Sequence, residues 1–343
     1  MQGYPISALR SESVSNPNNS TPGLRGHACI KTADGHPVSI TSLVTCAEDI
    51  EESTGKWCHG IGLLDTDFLF IGRNDLPGED EQFAIYKEAV SKAGIRPVTV
   101  RTCSLSAGQI PGIDTPAWEK NPDLGLKGLR LGLANPAILK PQLRAISRAN
   151  ALGHIHLLLP MVSTPREVKQ FKKLLKETES ELAYEHINYR PVTELGLMAD
   201  LPSVMVNTTQ FCYDVSFFQV GEALRNYTMG ADFSPQGLEH LKHQFEPMFL
   251  FQIQNLAQIA TQKNKIVSVS ANLASLPEAI PILLAVGVQD LVMRPKDMGP
   301  AAKLIENITI AKAKNIGAKA MSYWSGEDVQ KYAYDSMTRY KTV

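Results

Sequence analysis

The chain lacks an excess of charge of either sign. Lys plus Arg number 34 and Asp plus Glu 35, for a formal net charge of −1. With no basic surplus, neither nucleic acid nor an anionic membrane is an expected partner. Cysteine is also sparse. The five are Cys29, Cys46, Cys58, Cys103 and Cys212. Their number is odd and none forms a Cys-x-x-Cys pair, which argues against a disulfide framework or a zinc site and fits a reducing cytoplasm. No apolar run approaches the ~18 residues of a membrane span, and the N-terminus has no basic and apolar blocks of a signal peptide. No internal repeat is visible. These absences leave a cytoplasmic protein whose partner is a small molecule or another protein.

What is present points to one large α/β domain. Of 343 residues, 43% are hydrophobic, enough for a sizeable core. The stretch "SESVSNPNNSTPG" has almost nothing to bury, so residues 1–26 read as a disordered or loosely attached tail and 27–343 as a single domain. Eight short apolar or β-branched runs follow: 38–44, 60–65, 98–103, 154–162, 195–200, 216–221, 266–271 and 290–295. Amphipathic, helix-length segments separate most of them. One opens at Thr164, with Pro165 at the first helical position, Glu167 closing a capping box, and Val168, Phe171 and Leu175 on one face. Another opens at Asn135–Pro136 and carries Leu139, Leu143 and Ile146. A third runs from Pro77, with Phe83, Tyr86 and Val90 inward. The alternation predicts a parallel sheet closed into a (β/α)₈ TIM barrel. Residues 104–133 are long for a strand-to-helix connection and are expected over the active rim.

In such a barrel chemistry collects where the strands end. The rim positions are then Asp65, Arg101, Asp200, Gly221–Glu222, Ser270 and Arg294, with Lys127 and Arg130 from the long third loop. Asp200 closes the apolar run "LGLMAD" and is costly to bury without a partner. It is expected to face an open polar rim and its arginines.

Several of these segments resemble one family. "GIGLLDTDFLF" with "LPGEDEQFAIYKEAV", "VTVRTCS", "NPDLGLKGLRLGLANPAILKPQLRAISRANALG", "HIHLLLPMVSTPREVKQFKKLL", "LGLMADLPS", "FFQVG…NYTMGAD" and "SVSANLAS" are similar, in order over roughly residues 28–310, to the barrel domain of enzyme I of the bacterial sugar phosphotransferase system. The wider family includes pyruvate phosphate dikinase and phosphoenolpyruvate synthase. The resemblance implies a rim that binds phosphoenolpyruvate (PEP) and Mg²⁺, with phosphoryl transfer to a histidine on a separate swivelling domain. Such a site needs arginines to clamp phosphate and carboxylate, hard oxygen ligands for Mg²⁺ and an acid for the enolate carbon, which the family supplies as a Cys.

The match breaks at these functional positions. The arginine that ends the family's second strand is here Asp65, whereas the third-strand arginine survives as Arg101. Of the loop pair, Lys127 replaces the first arginine and Arg130 keeps the second. The fifth-strand metal-binding glutamate corresponds to Asp200. The family's next motif, Gly-Thr-Asn-Asp-Leu, is shortened to "GEAL", so only Glu222 stands near the second metal-binding acid. A further arginine is Phe233, the acid Cys is Ser270, and the Glu two residues on is Asn272. Serine is a far weaker acid than a thiol and cannot take over the proton. Asp65 adds repulsion where an anion once bound. About 25 residues precede the barrel, so the family's phosphohistidine domain is not expected, although "RGHACI" faintly echoes its histidine segment at His27.

Competing readings stand for single residues. Arg101 binds a ligand or pairs with Asp65 or Asp200. Arg294 defines a new pocket or neutralises Glu222. Ser270 has no histidine placed to make it a nucleophile. His154 and His156 share a strand face but lie at a strand start, the stability end of the barrel. Cys103 beside Arg101 reads as a buried, inert thiol. The expected function is a catalytically degenerate enzyme I-like barrel. It would bind a small PEP- or pyruvate-like anion through Arg101, Arg130, Lys127, Asn272, Arg294 and Asp65, or act as a regulator engaging a phosphotransferase-system protein. Mg²⁺ at Asp200 and Glu222 would be weak or lost. The alternatives are an active Mg²⁺-dependent phosphotransferase working in trans with a separate histidine domain, or a carbon–carbon lyase on pyruvate or an enolate. A homodimer is implied by the resemblance alone.

Overall fold

The computed structural model describes residues 29–114, 119–231, 237–238, 241–270 and 272–338. The expected N-terminal tail, His27 and Phe233 lie outside these residues. A two-residue strand, β1 (Ile30–Lys31), pairs antiparallel with β2 (Pro37–Val44). Parallel strands follow as β3 (Ile61–Asp65), β4 (Val98–Arg101), β5 (Ile155–Leu159), β6 (Leu195–Ala199), β7 (Phe217–Val220), β8 (Ile266–Ser270) and β9 (Asp290–Met293). Each pairs with the next, and β2 pairs in parallel with β9 through Ser39↔Asp290 to Ser42↔Met293. Eight parallel strands thus close on themselves, as the eight runs predict. Closure leaves none of the eight parallel strands with a free edge.

The helices pack on the outside of the barrel because their apolar stripes match the strands' outward faces. The helix Pro165–Tyr184 starts at the Thr164–Glu167 capping box and buries Val168, Phe171, Leu174 and Leu175. The helix Pro136–Asn150 buries Leu139, Leu143 and Ile146. The helix expected from Pro77 begins at Glu79 instead, because Gly78 serves as its cap and the Pro77 carbonyl accepts from Gln82 Nε2 at 3.0 Å. Strand β5 stops at Leu159, short of the expected 162. Pro160 has no N–H for the ladder, and Met161 turns into the left-handed region at φ 57°.

A second, separate cluster of Leu63, Leu158, Met198, Phe217 and Val292, from five different strands, fills the barrel interior. Gly196 makes room for it, since a Cβ there would lie 2.2 Å from Phe217 Cζ. The long third connection is pinned by an isolated antiparallel bridge, Ser106↔Lys127, and by Gly128 N–H donating to Leu105 O at 3.0 Å. No helix among the described residues is long and apolar enough to cross a membrane.

Candidate functional site at the barrel rim

Strand register puts the first two rim residues side by side, for Asp65 and Arg101 end neighbouring strands and pair directly. The Arg101 side chain is only 11% exposed. Its Nη2 donates to Asp65 Oδ1 at 2.6 Å and to Asp67 Oδ2 at 2.8 Å, while Nη1 faces Met198 Sδ at 3.8 Å. Nε is buried with no partner among the described residues. Asp67 opens a single 3₁₀ turn, Asp67–Leu69, directly after β3. It also accepts from Ser104 N–H at 2.7 Å and Ser104 Oγ at 2.5 Å, and its own N–H donates to Asp65 Oδ1 at 3.0 Å. The guanidinium is therefore clamped by two carboxylates that other groups hold in place. Burial pushes Asp65 above the usual carboxylate range, opposed by Arg101 and reinforced by Asp67. Burial disfavours the Arg101 charge, yet Asp67, Asp65 and Asp200 together hold its pKa above the ordinary value.

Asp200 is 5% exposed, sealed and not open to the rim as expected. The left-handed turn at Met161 aims a backbone N–H at it, 3.1 Å from Oδ2. On the other side a Cβ on Gly221 would lie 2.9 Å from Oδ1, so a side chain there would crowd the carboxylate. Burial pushes its pKa up, opposed by the Arg101 charge, then the Met161 N–H and the Lys127 charge. Among the described residues it makes no ion pair within 4.0 Å, so Arg101 reaches it as a field and not as a bonded partner.

The other expected residues are dispersed among local partners. Lys127 pairs with Asp123, four positions back on its own loop. Arg130 bonds Ser163 Oγ and lies 3.6 Å from Glu167, the capping-box carboxylate. Glu222 Oε1 accepts from Asn272 N–H at 3.1 Å. Ser270 Oγ donates to the Val220 carbonyl at 3.1 Å, which makes it a buried strand-to-strand tie and not an acid. Arg294 is 53% exposed and turns back to Asp297 at 3.1 Å. Its ion-pair partner is thus Asp297, three positions on, and not Glu222. Burial pushes the Cys103 thiol up, which disfavours its thiolate. His156 stands at the far end of the barrel with its ring 5.9 Å from Phe217. Sequence reasoning missed Asp67, Ser104 and Met161. The spacing Asp-Thr-Asp after a strand was the one available signal, since it offers a second acid to anything the strand end holds.

The Mg²⁺ site implied by the resemblance does not fit these residues. Asp200 and Glu222 are each turned onto a backbone N–H, and among the described residues no three His, Cys, Asp or Glu side chains are grouped to hold a metal. Mg²⁺ demands hard oxygens in near-octahedral order.

Comparison with known proteins bears on this rim. Residues 23–310 match the family described as PEP-utilising enzyme, PEP-binding domain. The phosphoenolpyruvate-protein phosphotransferase of Bacillus sp. (strain S) is 32% identical over 305 residues, 88% of this chain and 53% of its own length. That of Staphylococcus carnosus (strain TM300) is 32% identical over 300 residues, 87% of this chain and 52% of its own. The chain thus spans about half the length of the curated relatives it matches. Among solved structures, a citrate lyase from Burkholderia xenovorans LB400 aligns over 94% of this chain and 95% of its own, at 15% identity and a TM-score of 0.49, too distant to bear on chemistry. The clamped strand-end rim therefore sits in a chain that belongs to the family of PEP-utilising enzymes and corresponds to their PEP-binding domain.

Proposed function

We propose that this barrel is a non-catalytic member of its family, in which the old phosphate clamp has become a structural ion-pair cluster. Its role is to engage a phosphotransferase-system protein as a regulator, or to hold a small anion at the third loop. The Asp65–Arg101–Asp67 cluster carries this reading. Arg101 is the one strand-end arginine kept from the family pattern, and two carboxylates already neutralise it. A carboxylate about 4 Å from one phosphate charge repels it by about 4 kcal/mol at an effective dielectric of 20, roughly a thousandfold in affinity. Lys127 and Arg130 support the anion alternative. The carboxylate partner of Lys127 is exposed, and Glu167, held by its own capping box, lies 3.6 Å from Arg130, so an incoming anion would displace weak pairs.

Calorimetric titration of PEP, with and without Mg²⁺, tests the proposal on the wild type and on Arg101→Ala. The expected result is no saturable heat up to millimolar PEP in either. Micromolar, Mg²⁺-dependent binding that Arg101→Ala abolishes would overturn it and make the barrel a working half that acts with a histidine domain.

A further inference from the structure

The interior plug of Leu63, Leu158, Met198, Phe217 and Val292 separates the rim from a second polar region at the strand starts. There the barrel holds a cavity of about 90 Å³. Four of its polar residues are in register on adjacent strands. Gln219 of β7 pairs with Ser268 of β8, Ser268 with Asp290 of β9, and Asp290 with Ser39 of β2. Thr99 and His156, themselves paired on β4 and β5, face them from across the barrel. Ile61, Phe217 and Ile266 supply apolar wall.

One group in this cavity is left without a partner, and a second has hydroxyl partners only. Gln219 is 1% exposed, its Oε1 takes a long 3.4 Å bond from Ser268 Oγ, and its Nε2 is buried with no partner among the described residues. Asp290 accepts from Thr41 Oγ1 at 2.9 Å and from Ser39, both hydroxyls, and among the described residues no Lys or Arg pairs with it. A buried donor without an acceptor is rare in folded proteins and calls for an explanation. Mostly apolar walls with a few converging polar groups are the common make-up of a small-molecule site. No Lys or Arg lines the cavity to attract an anion, and although Cys29, His59, His156 and Asp290 line it, no three His, Cys, Asp or Glu side chains among the described residues are grouped to hold a metal.

We propose that this N-terminal mouth binds a small uncharged amide. Its carbonyl would accept from Gln219 Nε2–H, its N–H would donate to Asp290, and its apolar face would lie against Phe217 and Ile61. The site is independent of the rim and of any PEP chemistry there.

The probe is 2-pyrrolidinone, a six-heavy-atom cyclic amide of a size to suit the space. It is titrated into the full chain while the Ile61 and Ile266 methyl resonances are followed by NMR. Saturable shifts at those methyls in the millimolar range are expected, as for a fragment of this size. Binding should weaken about tenfold in Gln219→Leu and in Asp290→Leu, each of which removes one hydrogen-bonding partner. Cyclopentanone, which keeps the carbonyl and loses the N–H, should bind the wild type more weakly than the lactam. No saturable shift, or unchanged affinity in either variant, overturns the proposal and leaves ordered water as the occupant.

Discussion

The two ends of this barrel use polar side chains in opposite ways. At the strand ends, the usual active face of such a barrel, charges are numerous and most have an internal partner. Arg101 has Asp65 and Asp67, Arg130 has Ser163 and Glu167, and Arg294 has Asp297. At the strand starts, usually the stability face of the fold, polar groups are few and imperfectly matched around a cavity. The Gln219 amide has no acceptor among the described residues, and Asp290 has hydroxyl partners in place of a cation. A charged rim is thus no proof of an open site. What matters is whether each charge has an internal partner. Most of the rim's charges hold one another, Arg101 Nε excepted, whereas the mouth leaves the Gln219 N–H for a guest.

Removal of Arg101 should give the largest effect. Arg101→Ala leaves Asp65 and Asp67 as like charges, both partly buried, with their shared cation gone. Loss of one partner from a buried ion pair costs about 3–5 kcal/mol. With both acids in partial contact with water, a loss of about 3 kcal/mol is expected, measured as the shift in urea unfolding at neutral pH. A loss below about 1 kcal/mol, typical of an exposed pair, would erase the contrast between the ends and return Arg101 to the role of a waiting ligand clamp.

An intermediate effect is expected at the mouth and depends on pH. Burial pushes Asp290 up to about 6, against hydrogen bonds from Thr41 and Ser39 that pull it down. The folded state then keeps a proton that the unfolded chain releases near pH 4. Between about pH 4 and 6 the folded state binds more protons, so this residue's contribution to stability falls as pH rises through that window and is flat above it. A rise of this size corresponds to about 2–3 kcal/mol. Comparison of wild type with Asp290→Asn isolates this contribution from those of the other carboxylates. The variant should gain about 2 kcal/mol relative to wild type between pH 4 and 7 in urea unfolding. A flat difference would mean that Asp290 has a cationic partner in solution, and the mouth would then resemble the rim.

Much of the architecture is legible in the sequence. Eight apolar runs, the Thr164–Glu167 box and Pro136 at a helix start each follow from local rules of periodicity and capping, and each is found in place. Asp65 and Arg101 as rim neighbours are also legible, because both end strands that adjoin in chain order. The details that decide function depend on backbone direction and on which partner arrives first. Asp67 reads as an ordinary loop acid until the 3₁₀ turn folds it back to Arg101. The sealing of Asp200 depends on a left-handed Met161, a conformation that a non-glycine residue rarely adopts and that no residue type announces. Arg294 reads as available to Glu222, but an acid three residues along its own helix is nearer. At the mouth, Gln219 sits in an apolar strand like any tolerated polar residue. Its unpaired Nε2 becomes visible once eight strands close around it.

The smallest expected effect belongs to that same amide. Gln219→Leu removes a buried N–H with no acceptor, at the expense of one long bond from Ser268, whose hydroxyl keeps the Phe218 carbonyl at 3.3 Å. An unmade buried hydrogen bond costs about 1–3 kcal/mol, whereas an ordinary made one contributes about 1. In ligand-free protein the variant should therefore be more stable than wild type by about 1 kcal/mol in urea unfolding, unusual for a substitution inside a barrel. The sign is the informative part. A gain says the amide is held at a cost to the fold, as expected of a group kept for a guest. A loss of similar size would say that ordered water already satisfies it, and the two ends would then differ in the identity of the partner and not in whether one is present.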